Sequence, residues 1–191
     1  KNALCAALGC VLVALSYGVT FIPIAAAVIA GVGNGLFHIG GGIDVLNVSQ
    51  GKAGLLGVFV SPGALGIFLG KLLGKQDGFS PVPVVIILLA AAALILRLRF
   101  EKGKYYASGN AAVSFDKTGS PAVLIAAACL LFIVVCVRSY TGMTLDFPWK
   151  AEGCWGWALV FAVALGKTAG GFLADRFGAL KTSAVSLLLS A

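Results

Sequence analysis

Ionisable side chains inside apolar stretches are the residues of this chain that are most able to do chemistry. His38 follows Asn34 by one helical turn, so we expect both on one face, where His38 could bind a substrate or carry a proton. Arg138 lies deep in a long apolar segment and there must face a water-filled cavity, a carboxylate or the lipid headgroups. The alternatives are a histidine hydrogen-bonded between helices and an arginine that reaches out to the headgroups. We favour a cavity-facing arginine that attracts anions, with Asp146 and Glu152 as its nearest candidate partners.

Two further charged residues lie within apolar runs. Asp44 lies about 120° around a helix from His38, so we expect it to form an ion pair elsewhere, one candidate partner being a loop before Lys1. Lys167 precedes Asp175 by two turns and is a candidate for the substrate or ion pathway. Its long stem could equally carry the charge to the membrane surface.

Motifs for covalent, metal or nucleotide chemistry are incomplete. The five cysteines show neither metal-ligand nor disulfide spacing, so we interpret them as small apolar fillers. "GVGNGL" has Leu36 where a dinucleotide-binding motif needs glycine, and "FAVALGKT" has Phe161 where a phosphate-binding loop needs glycine. We therefore expect no metal, no cofactor and no enzyme activity.

Composition places these residues in a membrane protein. Apolar residues make up 60% of the chain and charged residues 11%, whereas soluble domains have about 25% charged residues. The 26 glycines are typical of membrane helices that pack through small residues. The net charge of +7 comes from basic residues in the polar connectors, so it indicates membrane orientation and not nucleic-acid binding.

The apolar runs predict an all-α polytopic protein in two parts. Four runs lie within 1–96, a polar linker occupies 97–120, and 121–191 holds two further runs and a shortened last one. The last run covers only about 15 Å, half of a bilayer core, so we expect the chain to be a fragment. The runs are 3–18, 21–46, 53–74, 82–96, 121–149 and 154–173, with the last opening after 181.

Two groups of glycines lie in the second run. Gly31 and Gly35 are four residues apart, so we expect them to allow close helix contact on one face. For the triplet at 40–42, close packing is the favoured explanation and bending during transport is the alternative.

Basic residues predict the orientation. If each run crosses once and Lys1 is inside, ten lysines and arginines lie inside and four outside. This puts Lys1, the 97–120 linker and the 170–181 stretch in the cytoplasm, with the chain in the plasma or inner membrane. The inside set is Lys1, Lys52, Arg97, Arg99, Lys102, Lys104, Lys117, Lys167, Arg176 and Lys181.

The stretch "GFLADRFG" at 171–178 resembles the G-x-L-a-D-R-x-G loop of the major facilitator superfamily. That loop joins the second and third helices of each six-helix half. The resemblance implies that Gly171 and Gly178 allow close approach and a tight turn. It also implies that Asp175 and Arg176 form a cytoplasmic charge latch, which favours the outward-open state and breaks as the halves rock.

The resemblance covers the whole chain. It implies about half of a twelve-helix transporter, with helices three to six before the linker and helices seven to nine after it. Phe37-His38, "GKAGLLGVFVSPGALGIFLG" and Arg138-Ser139 resemble the fosmidomycin-resistance-type efflux branch. Ile39 stands where that branch usually has proline.

We therefore expect a secondary transporter that moves a small molecule by alternating access. The expected coupling ion is a proton, the expected substrate is anionic or zwitterionic, and export is slightly favoured over uptake. The full-length protein is expected to be monomeric. A receptor or scaffold of the same fold that binds without transport is the alternative, and an intramembrane enzyme is a weaker one.

Overall fold

The computed structural model describes residues 1–101, 120–144 and 154–190. Within these ranges the regular structure is helical, without strands, which confirms the all-α prediction for them. The α-helices are α1 (Asn2–Ser16), α2 (Pro23–Val48), α3 (Ala53–Val60), α4 (Pro62–Leu73), α5 (Val82–Glu101), α6 (Pro121–Thr144), α7 (Trp155–Phe177) and α8 (Ala179–Ser190), and a 3-10 turn (Tyr17–Val19) follows α1.

Four segments of the described chain are long and apolar enough to cross a membrane, which agrees with a membrane protein. They are Asn2–Val19, Pro23–Val48, Ala53–Leu73 and Trp155–Phe177. Apolar stretches of fewer than 18 described residues lie within α5, α6 and α8: Val82–Leu98, Pro121–Val137 and Ala179–Leu189. The coarse prediction of several apolar membrane helices is therefore confirmed, and four of the six predicted crossings are found among the described residues.

The predicted run 53–74 is divided by Pro62. Proline has no N–H to donate to the preceding turn, so α3 ends at Val60 and α4 begins with Pro62 at its first position. The Ser61 hydroxyl lies 3.3 Å from the carbonyl oxygen of Val58, which it bonds at the end of α3. The segment is thus two consecutive helices.

The chain divides into two compact units, residues 1–113 with 163–191 and residues 114–162. In the larger unit, α1 packs against α2 through glycine. A Cβ atom on Gly9 would lie 2.5 Å from the carbonyl oxygen of Gly33, and one on Gly40 would lie 2.6 Å from the backbone nitrogen of Ala6. Larger residues at these positions would force the two backbones apart.

Among the described residues, a Cβ atom on Gly31 or Gly35 would have no heavy atom within 4 Å, so the close helix contact expected of them is not made within this part of the chain. The α1–α2 contact uses Gly33 and Gly40 instead. The favoured explanation of the 40–42 triplet agrees with the structure, since Gly40 meets α1 closely and Gly41 lies against the ring of Phe59.

The buried residues of the larger unit are small, and its large apolar side chains point outward. Ala7, Cys10 and Ala92 form the core cluster, with Phe37 and Ile95 packed beside it. A soluble protein buries its large apolar side chains. Small residues inside and large ones outside are typical of helices that pack closely and face lipid.

Candidate functional site: the contact between the end of α7 and the start of α3

The acidic residue of the 171–178 stretch lies in the last turn of α7. The sequence predicted a loop over 170–181, but α7 continues to Phe177 and α8 begins at Ala179. The residue between them, Gly178, has φ +90°, a conformation that glycine adopts readily and other residues rarely do. The break is therefore a single glycine, and the helical backbone holds Asp175.

The Asp175 carboxylate bonds the first N–H groups of α3. Its Oδ1 accepts the N–H of Ala53 at 2.7 Å and its Oδ2 accepts the N–H of Gly54 at 2.7 Å. The first N–H groups of a helix have no acceptor within the helix, and they carry the positive end of its dipole. Lys52 precedes the helix and provides no side-chain cap. An acidic residue 122 positions away along the chain therefore caps this helix.

Three glycines let the α3 and α7 backbones touch beside this carboxylate. A Cβ atom on Gly171 would lie 2.6 Å from the carbonyl oxygen of Ala53. One on Gly54 would lie 2.7 Å from the Phe172 ring, and one on Gly57 would lie 2.5 Å from the carbonyl oxygen of Lys167. The contact thus runs for more than one turn along both helices, and only glycine fits at these three positions without a shift.

Arg176 takes a different partner from Asp175. Its guanidinium carbon lies 5.4 Å from the centre of the Phe177 ring, a cation–π arrangement. The resemblance implied a latch made by Asp175 and Arg176 together. In the α7–α3 contact, Asp175 is the hydrogen-bond acceptor and the donors are backbone N–H groups of α3.

Asn34 and His38 both lie exposed on α2. The His38 ring is edge-on to the rings of Phe37 and Phe59, at centroid distances of 5.8 and 5.9 Å. Phe59 belongs to α3, so this cluster joins the two helices. Lys167 is half-buried in α7.

Asp44 lies near the end of α2 and has a partner within the chain. The side-chain amide of Asn2 donates a hydrogen bond to its Oδ1 at 3.0 Å. This bond joins the start of α1 to α2, and the predicted ion pair of Asp44 stays a prediction. Asn2 thus supplies a neutral donor to an acidic group.

Arg138 lies in α6, whose helix continues past Tyr140 to Thr144. Its side chain, its candidate partners Asp146 and Glu152, and the linker residues 102–119 lie outside the described part of the chain. The role predicted for Arg138 stays a prediction.

The partners on α3 were missed from the sequence, although one signal was available. A helix that starts after Lys52, with no Ser, Thr, Asp or Asn at its cap, leaves its first N–H groups to water or to a side chain from elsewhere. Among the His, Cys, Asp and Glu residues that the structure describes, no group of three or more could hold a metal ion.

No family model, no curated protein and no solved structure matches this chain.

Proposed function

We propose that this chain is part of a secondary transporter of the major facilitator type, which moves a small molecule across the cell membrane by alternating access. The observation that carries the proposal is the bond of Asp175 to the start of α3. It joins a helix after the polar linker to a helix before it, at the acidic residue of the motif. A charged hydrogen bond at a helix terminus can hold two helices together and yet be released, which a latch between moving halves requires.

The close glycine contact supports the same function. Helices that meet largely backbone to backbone can separate as rigid bodies, because few side chains interlock between them. Gly54, Gly57 and Gly171 provide such a surface beside Asp175. In the proposed cycle the contact is closed in the outward-open state and opens when the cytoplasmic side opens.

The proposed substrate is a small anionic or zwitterionic molecule, and a proton gradient is the proposed driving force. The residues proposed for its pathway are Asn34, His38, Arg138 and Lys167. The cytoplasmic side is proposed to hold Lys1, the linker and Asp175, and export is slightly favoured over uptake.

Transport in proteoliposomes tests this proposal. Purified protein is reconstituted, a pH gradient is imposed, and uptake of radiolabelled aromatic and aliphatic carboxylates is measured. We expect accumulation of at least one carboxylate that stops when a protonophore removes the gradient. Saturable binding without any accumulation would instead favour the receptor.

A further inference from the structure

We propose that His38 and Phe59 form a recognition site for the aromatic ring of a planar substrate that also carries an anionic or hydrogen-bond-accepting group. This inference rests on the proposed transport function and names the class of molecule that it would take. It starts from the contact of the two rings across α2 and α3.

The first observation is how deep His38 lies in the membrane. Ten residues separate His38 from Val48 at the end of α2. At about 1.5 Å per residue the ring lies about 15 Å from that end, near the middle of a bilayer core of about 30 Å. An imidazole and the Asn34 amide on one exposed face at this depth need hydrogen-bond partners that lipid does not provide, and a polar cavity supplies them.

The second observation is how the Phe59 ring packs. A Cβ atom on Gly41 would lie 2.6 Å from the Cζ of Phe59, so the ring rests directly on the α2 backbone. Phe59 stacks on Phe37 at 5.7 Å and meets the edge of His38 at 5.9 Å. Phe37 is itself packed against the core cluster. The ring of Phe59 is therefore held in place, and it is only half-buried.

The chemistry of the cluster defines the ligand. A fixed phenyl ring favours an aromatic partner in an offset or edge-on arrangement. One ring N–H of His38 and the amide N–H₂ of Asn34, one helical turn away, supply hydrogen-bond donors for a carboxylate or carbonyl. An aromatic carboxylate combines both features, whereas an aliphatic carboxylate of equal charge offers only the second.

Binding of 2-naphthoate tests the site, and decahydro-2-naphthoate is the aliphatic control. Affinities are measured by equilibrium dialysis on the purified protein in detergent. We expect 2-naphthoate to bind about two- to tenfold more tightly than its saturated analogue. Phe59→Leu should remove this preference, and His38→Gln should weaken the binding of both ligands. Phe21→Leu, at an exposed phenylalanine outside the cluster, should change neither affinity.

A second measurement covers variants that fail to fold. In a background without the five native cysteines, Asn34→Cys should react with a maleimide. Bound 2-naphthoate should slow this reaction, and its saturated analogue should slow it less. No binding of 2-naphthoate, equal affinity for the two ligands, or no protection at position 34 would overturn the proposal. Binding without uptake in proteoliposomes would leave the recognition site standing and contradict only the transport function.

Discussion

Asp175 and Gly54 are joined by a 2.7 Å hydrogen bond between the last turn of α7 and the first turn of α3. The second carboxylate oxygen bonds the neighbouring N–H of Ala53 at the same distance. The two bonds make Asp175 the cap of α3: its carboxylate neutralises the positive end of a helix that has no side-chain cap of its own.

Asp175→Asn should loosen the start of α3 and leave the fold intact. The loss of charge weakens both bonds, and we expect about 1.5 kcal/mol, the lower limit for a charged hydrogen bond, because Asp175 is exposed. Hydrogen–deuterium exchange at Ala53 and Gly54 should become about tenfold faster. Asp77→Asn, at an exposed acidic residue, is the matched control and should leave this exchange unchanged. Equal exchange in all three proteins would contradict the capping role.

Gly171→Ala should separate α7 from α3. The new methyl group would meet the Ala53 carbonyl oxygen, and overpacking of this kind costs about 1–3 kcal/mol. The Tm of the purified protein in detergent should fall. Gly170→Ala is a control in the same helix turn, since a Cβ atom there has nothing within 4 Å. A Tm that falls equally in both variants would show that loss of glycine, and not the contact, is responsible.

The linker should lie in the cytoplasm. In a background without the five cysteines, Asn110→Cys should resist an impermeant maleimide added to intact cells and react after the cells are opened. Gln76→Cys, in the connector between α4 and α5, should react from outside. Labelling of position 110 in intact cells would contradict the orientation.

Arg138→Lys should keep part of the binding of anions, and Arg138→Gln should lose far more. A central arginine costs about 2.5–3.5 kcal/mol to insert, so an idle one at this depth is unfavourable. Lysine keeps the charge and loses the forked donor geometry. Equilibrium dialysis with 2-naphthoate, with Lys71→Gln as the control, measures the effect. Equal affinity in wild type and Arg138→Gln would assign the side chain to the headgroups.

Apolar runs are enough to predict most helices, because a chain with few charges has few places for a polar connector. The predicted end of α7 is wrong: the charges of Asp175 and Arg176 suggest a loop, but no residue before Gly178 breaks the helix. The division at Pro62 could have been anticipated from its missing N–H. The partner of Asp175 could not, because a contact across 122 residues depends on how the helices pack.

The face on which a glycine packs was equally hidden from the sequence. Gly31 and Gly33 are the same residue type two positions apart, and of these two Gly33 contacts α1 whereas Gly31 does not. The spacing of residues on one helix gives its faces, but the choice of face is made by the partner helix.

The central claim, that α7 and α3 separate during alternating access, is tested most directly by a distance measurement. Spin labels at Val48→Cys and Leu180→Cys, both exposed, report on the α2 end beside α3 and on α8 beside α7. In a cysteine-free protein reconstituted in nanodiscs, pulsed electron paramagnetic resonance should give two distance populations. In Asp175→Asn, the ratio of the long-distance population to the short-distance population should rise about tenfold. One distance, unchanged by Asp175→Asn, would contradict the account.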